Sequence, residues 1–103
     1  MIRVVNFLCF AVSAFACLAL YHVSEQTRVC LDRIKRVLGE AGASLTDIAS
    51  ATVWLTDLKD FQAFNAAWAE GFGDHRPTRA TVRADLALPG LVVEIAAIAV
   101  LHS

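Results

Sequence analysis

Residues 76–101 read RPTRATVRADLALPGLVVEIAAIAVL, and this stretch predicts two β-strands joined by a short turn. From Thr78 onward, small or apolar residues alternate with polar or charged ones, which is the period of two that a half-buried strand requires. Leucine, proline and glycine at positions 88–90 then predict a turn. The segment 91–101 is apolar apart from Glu94, so it is predicted to be a central strand that is covered on both faces.

Glu94 is the single charged residue of that apolar strand, and a lone buried carboxylate costs several kcal/mol unless it has a partner. If the two strands form a hairpin with Leu86 opposite Leu91, then Arg83 faces Glu94 and Arg79 lies on the same face. Two interpretations follow. Either Arg83 and Glu94 form a cross-strand ion pair, or Glu94 holds a water or substrate while Arg79 binds an anion. Arginine suits the second role because its planar fork matches a carboxylate.

The residues before this pair of strands predict another strand followed by a helix. Residues 48–55 end in TVWL, a run rich in the branched and aromatic residues that favour strands. Asp57 or Asp60 is expected to cap the helix, and Gly71 and Gly73 are expected to end it. The helix carries aromatic side chains at helical spacing, which indicates core packing: Phe61, Phe64, Trp68 and Phe72.

Residues 24–42 predict an amphipathic helix. Ser24 is a suitable N-cap, Glu25 lies in the first turn where the helix dipole favours a carboxylate, and Gly42 is a suitable stop. Charged residues occupy the opposite side of the helix and indicate a solvated surface. The apolar positions recur every three to four residues: Cys30, Leu31, Ile34, Val37, Leu38 and Ala41.

Composition limits the function classes. With 103 residues, 57% of them hydrophobic, the chain has room for one small domain. A net charge of −1 argues against a nucleic-acid partner, which would require a basic face. Three cysteines and three histidines are scattered without metal-ligand spacing, so no metal site and reduced thiols are expected. The apolar excess predicts that some of these residues contact a membrane, are cleaved off or are covered by another subunit.

The segment 1–23 differs from residues 24–103 and is treated as separate from the domain that they form. Arg3 is its only charged residue, and a long apolar run follows with A-F-A at 14–16. Three interpretations are open. The segment is a secretory signal or membrane anchor, it supplies one or two core strands, or it is not a natural part of the domain because the start codon is misassigned.

The motifs of residues 24–101 resemble those of the RidA (YjgF) family. In order they are E-Q-T at 25–27, L-D-R-I at 31–34, A-G-A-S-L at 41–45, T-V-W-L-T-D at 52–57, R-P-T-R at 76–79, L-P at 88–89 and V-E-I at 93–95. The P-x-R motif followed by L-P and V-E-I is the most specific part. The resemblance implies an α+β, chorismate-mutase-like fold, in which two helices pack on one face of a mixed sheet. It also implies a homotrimer with clefts at the subunit contacts.

The family resemblance also implies a site without a metal or organic cofactor. It implies that Arg79 binds the carboxylate of the substrate and that Glu94 orients the attacking water. Asn65 and Thr81 fall at further substrate-binding positions, and Thr81 stands where the family often has cysteine. A G-P-Y-S-like turn and an S-G-Q segment, which contribute to the family's cleft, are absent here, so the N-terminus is truncated or atypical.

Two functions are therefore expected as alternatives. The first is an enamine/imine deaminase that hydrolyses reactive 2-imino acids, of the 2-aminoacrylate or 2-iminobutanoate class, to 2-keto acids and ammonia. The second is a non-catalytic trimer of the same fold that binds a small molecule or another protein. A cytoplasmic location is expected. The alternative is an exported or membrane-tethered form, in which membrane contact would be limited to residues 1–23.

Overall fold

The computed structural model describes residues 2–10, 22–87 and 90–102. They form a four-stranded sheet and two helices, and short 3₁₀ turns precede the second strand and the second helix. In chain order the elements are β1 (Ile2–Phe10), α1 (Val23–Glu40), β2 (Ile48–Leu55), α2 (Phe61–Phe72), β3 (Thr78–Arg83) and β4 (Val93–His102). The strand order is β1-β4-β2-β3, with β3 parallel to β2 and the other neighbours antiparallel. The predicted α+β architecture, a mixed sheet with two helices on one face, is confirmed.

The first helix begins slightly earlier than the sequence suggested. His22 occupies the N-cap position before Val23, so the prediction of a Ser24 cap is wrong. The Ser24 hydroxyl instead lies 3.5 Å from the carbonyl oxygen of Ala63 in α2. The predicted stop is confirmed, because Gly42 follows the helix with a φ of 75°, a conformation that favours glycine.

The core lies between the two helices and one face of the sheet, which is called the covered face below. Three of the four predicted aromatic residues of α2 are buried, while Phe61 is 39% exposed. Gly71 lies inside α2 and Gly73, with a φ of 63°, ends it. The sheet contributes alternate residues of its two central strands: Ala51, Val53, Leu55, Val93, Ile95, Ala97, Ala99 and Leu101.

The strands β3 and β4 do not form the predicted hairpin, because β2 lies between them. Arg83 aligns with buried Leu55 and therefore belongs to the covered side of the sheet. Glu94 pairs with Trp54, whose side chain alternates to the opposite side. The expected Arg83–Glu94 pair is therefore wrong, and so is the expectation that Arg79 and Glu94 share a face.

The chain reaches β4 by crossing the end of β2. The Ala84 N–H donates to the carbonyl oxygen of Leu55 at 3.0 Å, and the Thr56 N–H donates to that of Val92 at 3.1 Å. The chain passes through α2 between β2 and β3, and this crossover allows β3 to run parallel to β2. Because β2 lies between β3 and β4, the connection from β3 to β4 crosses the end of β2 and is not a four-residue hairpin turn.

The second face of the sheet, called the open face below, is covered by neither of the two described helices. Val82 of β3 is 44% exposed and Ile98 of β4 is 38% exposed, and both lie on this side. The prediction that β4 is central is confirmed. Cover on both of its faces is not supplied by the described residues of a single chain.

The N-terminal segment forms an edge strand over part of its length. Residues 2–10 pair antiparallel with β4, from Ile2 opposite His102 to Phe10 opposite Glu94. Residues 11–21, which include the A-F-A sequence, lie outside the described residues. Within the described part of the chain, neither helix combines the length and the apolar character that a membrane span needs.

Candidate functional site

Arg79 lies near the start of the edge strand β3, where its side chain is held on the covered side beneath α2. Its Nη2 donates to Oδ1 of Asn65 at 2.6 Å. The guanidinium carbon lies 5.1 Å from the ring centroid of Phe64, 5.3 Å from that of Trp68 and 5.8 Å from that of Phe61. These distances allow cation–π attraction, so the arginine is oriented by aromatic rings and by one amide.

The positive charge of Arg79 has no carboxylate partner among the described residues. The ion pairs there join other side chains: Arg28 to Glu70, Arg36 to Asp32 and Lys59 to Asp57. Burial lowers the pKa of Arg79, yet an arginine keeps its charge at neutral pH. A partly desolvated guanidinium with free N–H donors is suited to bind an anion.

Arg79 opens onto a groove of about 420 Å³ at the edge of the sheet. The groove is lined by polar, aromatic and cationic residues and contains no carboxylate among them: Asn65, Trp68, Ala69, Arg76, Pro77 and Arg79. Arg76 is a second cation that sequence reasoning left without a role. Its Nη1 donates to the carbonyl oxygens of Gly73 and His75, so it is tied to its own loop. Its place in the R-P-T-R motif was the available signal.

The loop that leads into β3 is anchored to the sheet. Nε2 of His75 lies 2.7 Å from the carbonyl oxygen of Ile48, at the start of β2. The His75 ring also lies 6.0 Å from the ring of Phe72, at the end of α2. This anchor fixes the position along the sheet edge at which Pro77 and Arg79 follow the loop.

Thr81 lies on the same side of β3 as Arg79 and aligns with buried Val53. Its Oγ1 is the only buried side-chain oxygen without a hydrogen-bond partner in the described part of the chain. A buried hydroxyl that makes no hydrogen bond requires an explanation, and one explanation is a partner that arrives with a ligand.

Glu94 lies apart from this group. It is half-buried on the open face, opposite Trp54, and takes part in none of the ion pairs found between described residues. Of the four residues predicted for the site, the structure brings Arg79 and Asn65 into contact and places Thr81 on their side of the strand. The sheet separates all three from Glu94 of the same chain.

Residues of the types that bind metals do not form a cluster within the described ranges. Cys30 is buried and is not part of a disulfide. Cys9 and Cys17 belong to the segment whose side chains are not described.

A domain of two helices on one face of a mixed sheet, with an arginine held at the sheet edge, is of the chorismate-mutase-like class. The sequence model of the Endoribonuclease L-PSP family matches residues 17–101. The chain is 40% identical over 77 residues to a RutC family protein of Pyrococcus abyssi. The aligned region covers 75% of this chain and 61% of that protein. The chain is also 40% identical over 81 residues to the 3-aminoacrylate deaminase RutC of Acinetobacter baylyi, with 76% and 64% covered.

Solved structures agree. A YjgF/YER057c/UK114 family member from Mycobacterium tuberculosis superposes with a TM-score of 0.80 and 32% identity, covering 95% of this chain and 77% of that one. A YjgF family protein from Neisseria meningitidis gives 0.77 and 33%, with 82% and 71% covered. The chain belongs to the RidA (YjgF/RutC) family, which is the family described by the Endoribonuclease L-PSP model. Its matched part spans less than two thirds of the RutC proteins.

Proposed function

We propose that the chain is an enamine/imine deaminase, which hydrolyses 2-imino acids of the 2-aminoacrylate or 2-iminobutanoate class to 2-keto acids and ammonia. The observation that carries the proposal is the guanidinium of Arg79, which has no carboxylate partner in the described part of the chain and is oriented by Asn65 and three aromatic rings. The name of the Acinetobacter relative, a 3-aminoacrylate deaminase, supports the same reaction class.

The chemistry requires little beyond positioning. Arg79 binds the carboxylate of the imino acid through its in-plane N–H donors, and Asn65 and Thr81 are the further substrate-binding residues of the proposal on the same side of the sheet. The imine carbon is already electrophilic, so a water oriented by Glu94 can add to it. Glu94 accepts a proton from this water and returns it to the nitrogen. The hydroxyl proton of the carbinolamine then passes to the nitrogen as the C–N bond breaks, which releases ammonia and leaves the 2-keto acid.

In this proposal the site is shared by two copies of the chain. The sheet separates Arg79 from Glu94 within one chain, so a molecule bound to Arg79 meets the Glu94 carboxylate of a neighbouring subunit. The exposed apolar side chains Val82 and Ile98 on the open face support such a contact. A homotrimer would repeat this heterologous contact three times around a closed ring.

Complementation tests both the activity and the shared site. Arg79→Ala and Glu94→Gln homotrimers are each expected to lose hydrolysis of freshly generated 2-iminobutanoate. Refolding the two variants together in equal amounts should restore about one quarter of the wild-type rate, because one site in four receives both intact residues by random assembly. No recovery in the mixture would rule out the shared site. An inactive wild-type protein would rule out the deaminase.

The alternative, a non-catalytic binding module, is favoured by one specific observation. Within one chain, Arg79 and Asn65 are in contact, whereas the sheet separates them from Glu94. This alternative predicts that 2-oxobutanoate binds and that Arg79→Ala abolishes its binding, while no imine is hydrolysed. Calorimetric titration with 2-oxobutanoate separates the two functions when it is combined with the deaminase assay.

A further inference from the structure

Gln26 is a buried polar residue of α1 whose side chain forms two hydrogen bonds outside its own helix. Gln26 is 1% exposed. Its Nε2 donates to the carbonyl oxygen of Gly90 at 2.8 Å, and its Oε1 accepts from the Val92 N–H at 2.9 Å. The amide of Gln26 therefore hydrogen-bonds to the backbone of residues 90 and 92 in the way that a neighbouring strand would.

The segment that Gln26 holds is the entrance to β4. Val92 is held on both sides, because its N–H bonds to Gln26 and its carbonyl oxygen accepts from the Thr56 N–H at 3.1 Å. Gly90, the other contact of Gln26, has a φ of 86°, so the chain turns sharply just before this point. The path of the chain into the strand is therefore fixed by α1 as well as by β2.

The position of the Glu94 side chain is sensitive to any loosening of this entrance. Glu94 is the first residue of β4 that pairs with β1, and on the other side only Val93, opposite Leu55, precedes its pairing with Trp54. Strand ends open more readily than strand centres. The orientation of the Glu94 carboxylate therefore depends on what closes the end of the strand.

We propose that Gln26 is a positioning residue for Glu94. Its two hydrogen bonds close the entrance of β4, which keeps the carboxylate two residues later in the orientation that the attacking water requires. The inference rests on the proposed deaminase function, in which Glu94 orients that water. Gln26 lies in the helical layer and takes no part in binding the substrate.

The test is Gln26→Met, with Thr27→Val as its matched control. Methionine retains the length of the side chain and removes both hydrogen bonds. Thr27 is the next residue in α1 and is fully buried, but its Oγ1 bonds within the helix, to the carbonyl oxygen of Val23 at 2.6 Å. The control therefore removes a buried hydrogen bond without touching the entrance of β4.

Steady-state kinetics with 2-iminobutanoate should separate positioning from folding. We expect Gln26→Met to lower kcat about tenfold and to leave KM within about twofold, because the Arg79 contact is unchanged. Thr27→Val should leave both constants within about twofold of wild type. Amide exchange at Val92 and Glu94 should accelerate in Gln26→Met alone. Gln26→Glu, which retains the acceptor for Val92 and loses the donor to Gly90, should be intermediate and provides a second variant if methionine prevents folding.

The inference is overturned if Gln26→Met lowers kcat no more than Thr27→Val, or if it raises KM by the factor by which kcat falls. If the wild-type protein hydrolyses no imine, the proposed function fails by itself. In that case the Glu94 side-chain carboxyl ¹³C resonance decides whether Gln26 positions it. A resonance that moves in Gln26→Met and stays in place in Thr27→Val supports positioning, and a resonance unchanged in both variants contradicts it.

Discussion

The covered and open faces of the sheet carry the two halves of the proposed site under very different conditions. On the covered face, Arg79 lies against Asn65 and three aromatic rings, all supplied by α2 of the same chain. On the open face, Glu94 aligns with Trp54, and the same face carries the exposed apolar side chains Val82 and Ile98. One half of the site is therefore completed by folding, while the other half has a free surface beside it.

This difference predicts that mutations on the two faces act on different equilibria. Changes on the covered face should alter the free energy of unfolding or the binding of the substrate carboxylate. Changes on the open face should alter assembly and should depend on protein concentration.

The largest expected effect is on stability and comes from the covered face. Phe64 is fully buried, and Phe64→Ala should lower the free energy of unfolding by about 3–5 kcal/mol. Val82→Ala, on the open face, should cost less than about 1 kcal/mol in dilute protein. Urea unfolding at low micromolar concentration measures both. Equal costs would mean that the two faces are equally covered.

Arg79→Lys should come next and should affect activity without unfolding the domain. Lysine retains the charge but loses the planar fork, and charge-assisted hydrogen bonds are worth about 1.5–3 kcal/mol, or roughly 10- to 100-fold in kcat/KM. Arg83→Lys, on the same side of β3, is the control and should retain the wild-type rate. Full activity of Arg79→Lys would remove this arginine from the site.

Ile98→Arg should weaken assembly and leave the fold intact. Placing a charge where another copy is expected to pack should raise the dissociation constant of the oligomer at least about tenfold. Light scattering over a dilution series measures the change. Val37→Arg is the matched control, because Val37 is also an exposed apolar residue, at 49%, but lies on the helix α1. A wild-type protein that is monomeric throughout would contradict the role given to the open face.

The smallest effect is expected for Arg83→Ala. Arg83 is exposed, and no ion pair between described residues includes it, so the free energy of unfolding should change by less than about 0.5 kcal/mol. Thermal melting of this variant beside wild type is sufficient. A loss of about 1–3 kcal/mol would indicate the cross-strand pair with Glu94 and would contradict the separation of the two faces.

The elements of the fold were predictable because each leaves a local signature. The strand β2 was predicted at 48–55 and is found there, since its aromatic and β-branched residues end at a turn. The helix α1 was recognised by its apolar repeat, although its cap moved from Ser24 to His22. These features depend on residues that are near one another in the chain, where periodicity is informative.

The pairing of strands was not predictable in the same way. Residues 78–83 and 93–102 are close in sequence, which suggested a hairpin, but β2 lies between them. The alternation of apolar and polar residues along a strand indicates which face of the sheet each residue occupies, but it does not indicate which strand lies beside it. The residues of the site therefore stay a prediction, and the expectation that Arg79 and Glu94 share one face was wrong. The hydrogen bonds of Gln26 to Gly90 and Val92 had no signal in the sequence, because they join residues more than sixty positions apart.

The place of β4 in the sheet has a consequence for synthesis of the chain. β4 joins β1 to β2, yet it is the last of the described elements to leave the ribosome. Before then β1 has no partner strand, β2 pairs only with β3, and the apolar sides of both helices lack half of the sheet that buries them. A nascent chain that stops before Val93 would thus resemble an aggregation-prone intermediate. Translation speed and chaperone access over the final stretch of this domain should therefore govern its yield more than they would in a protein whose central strand is made first.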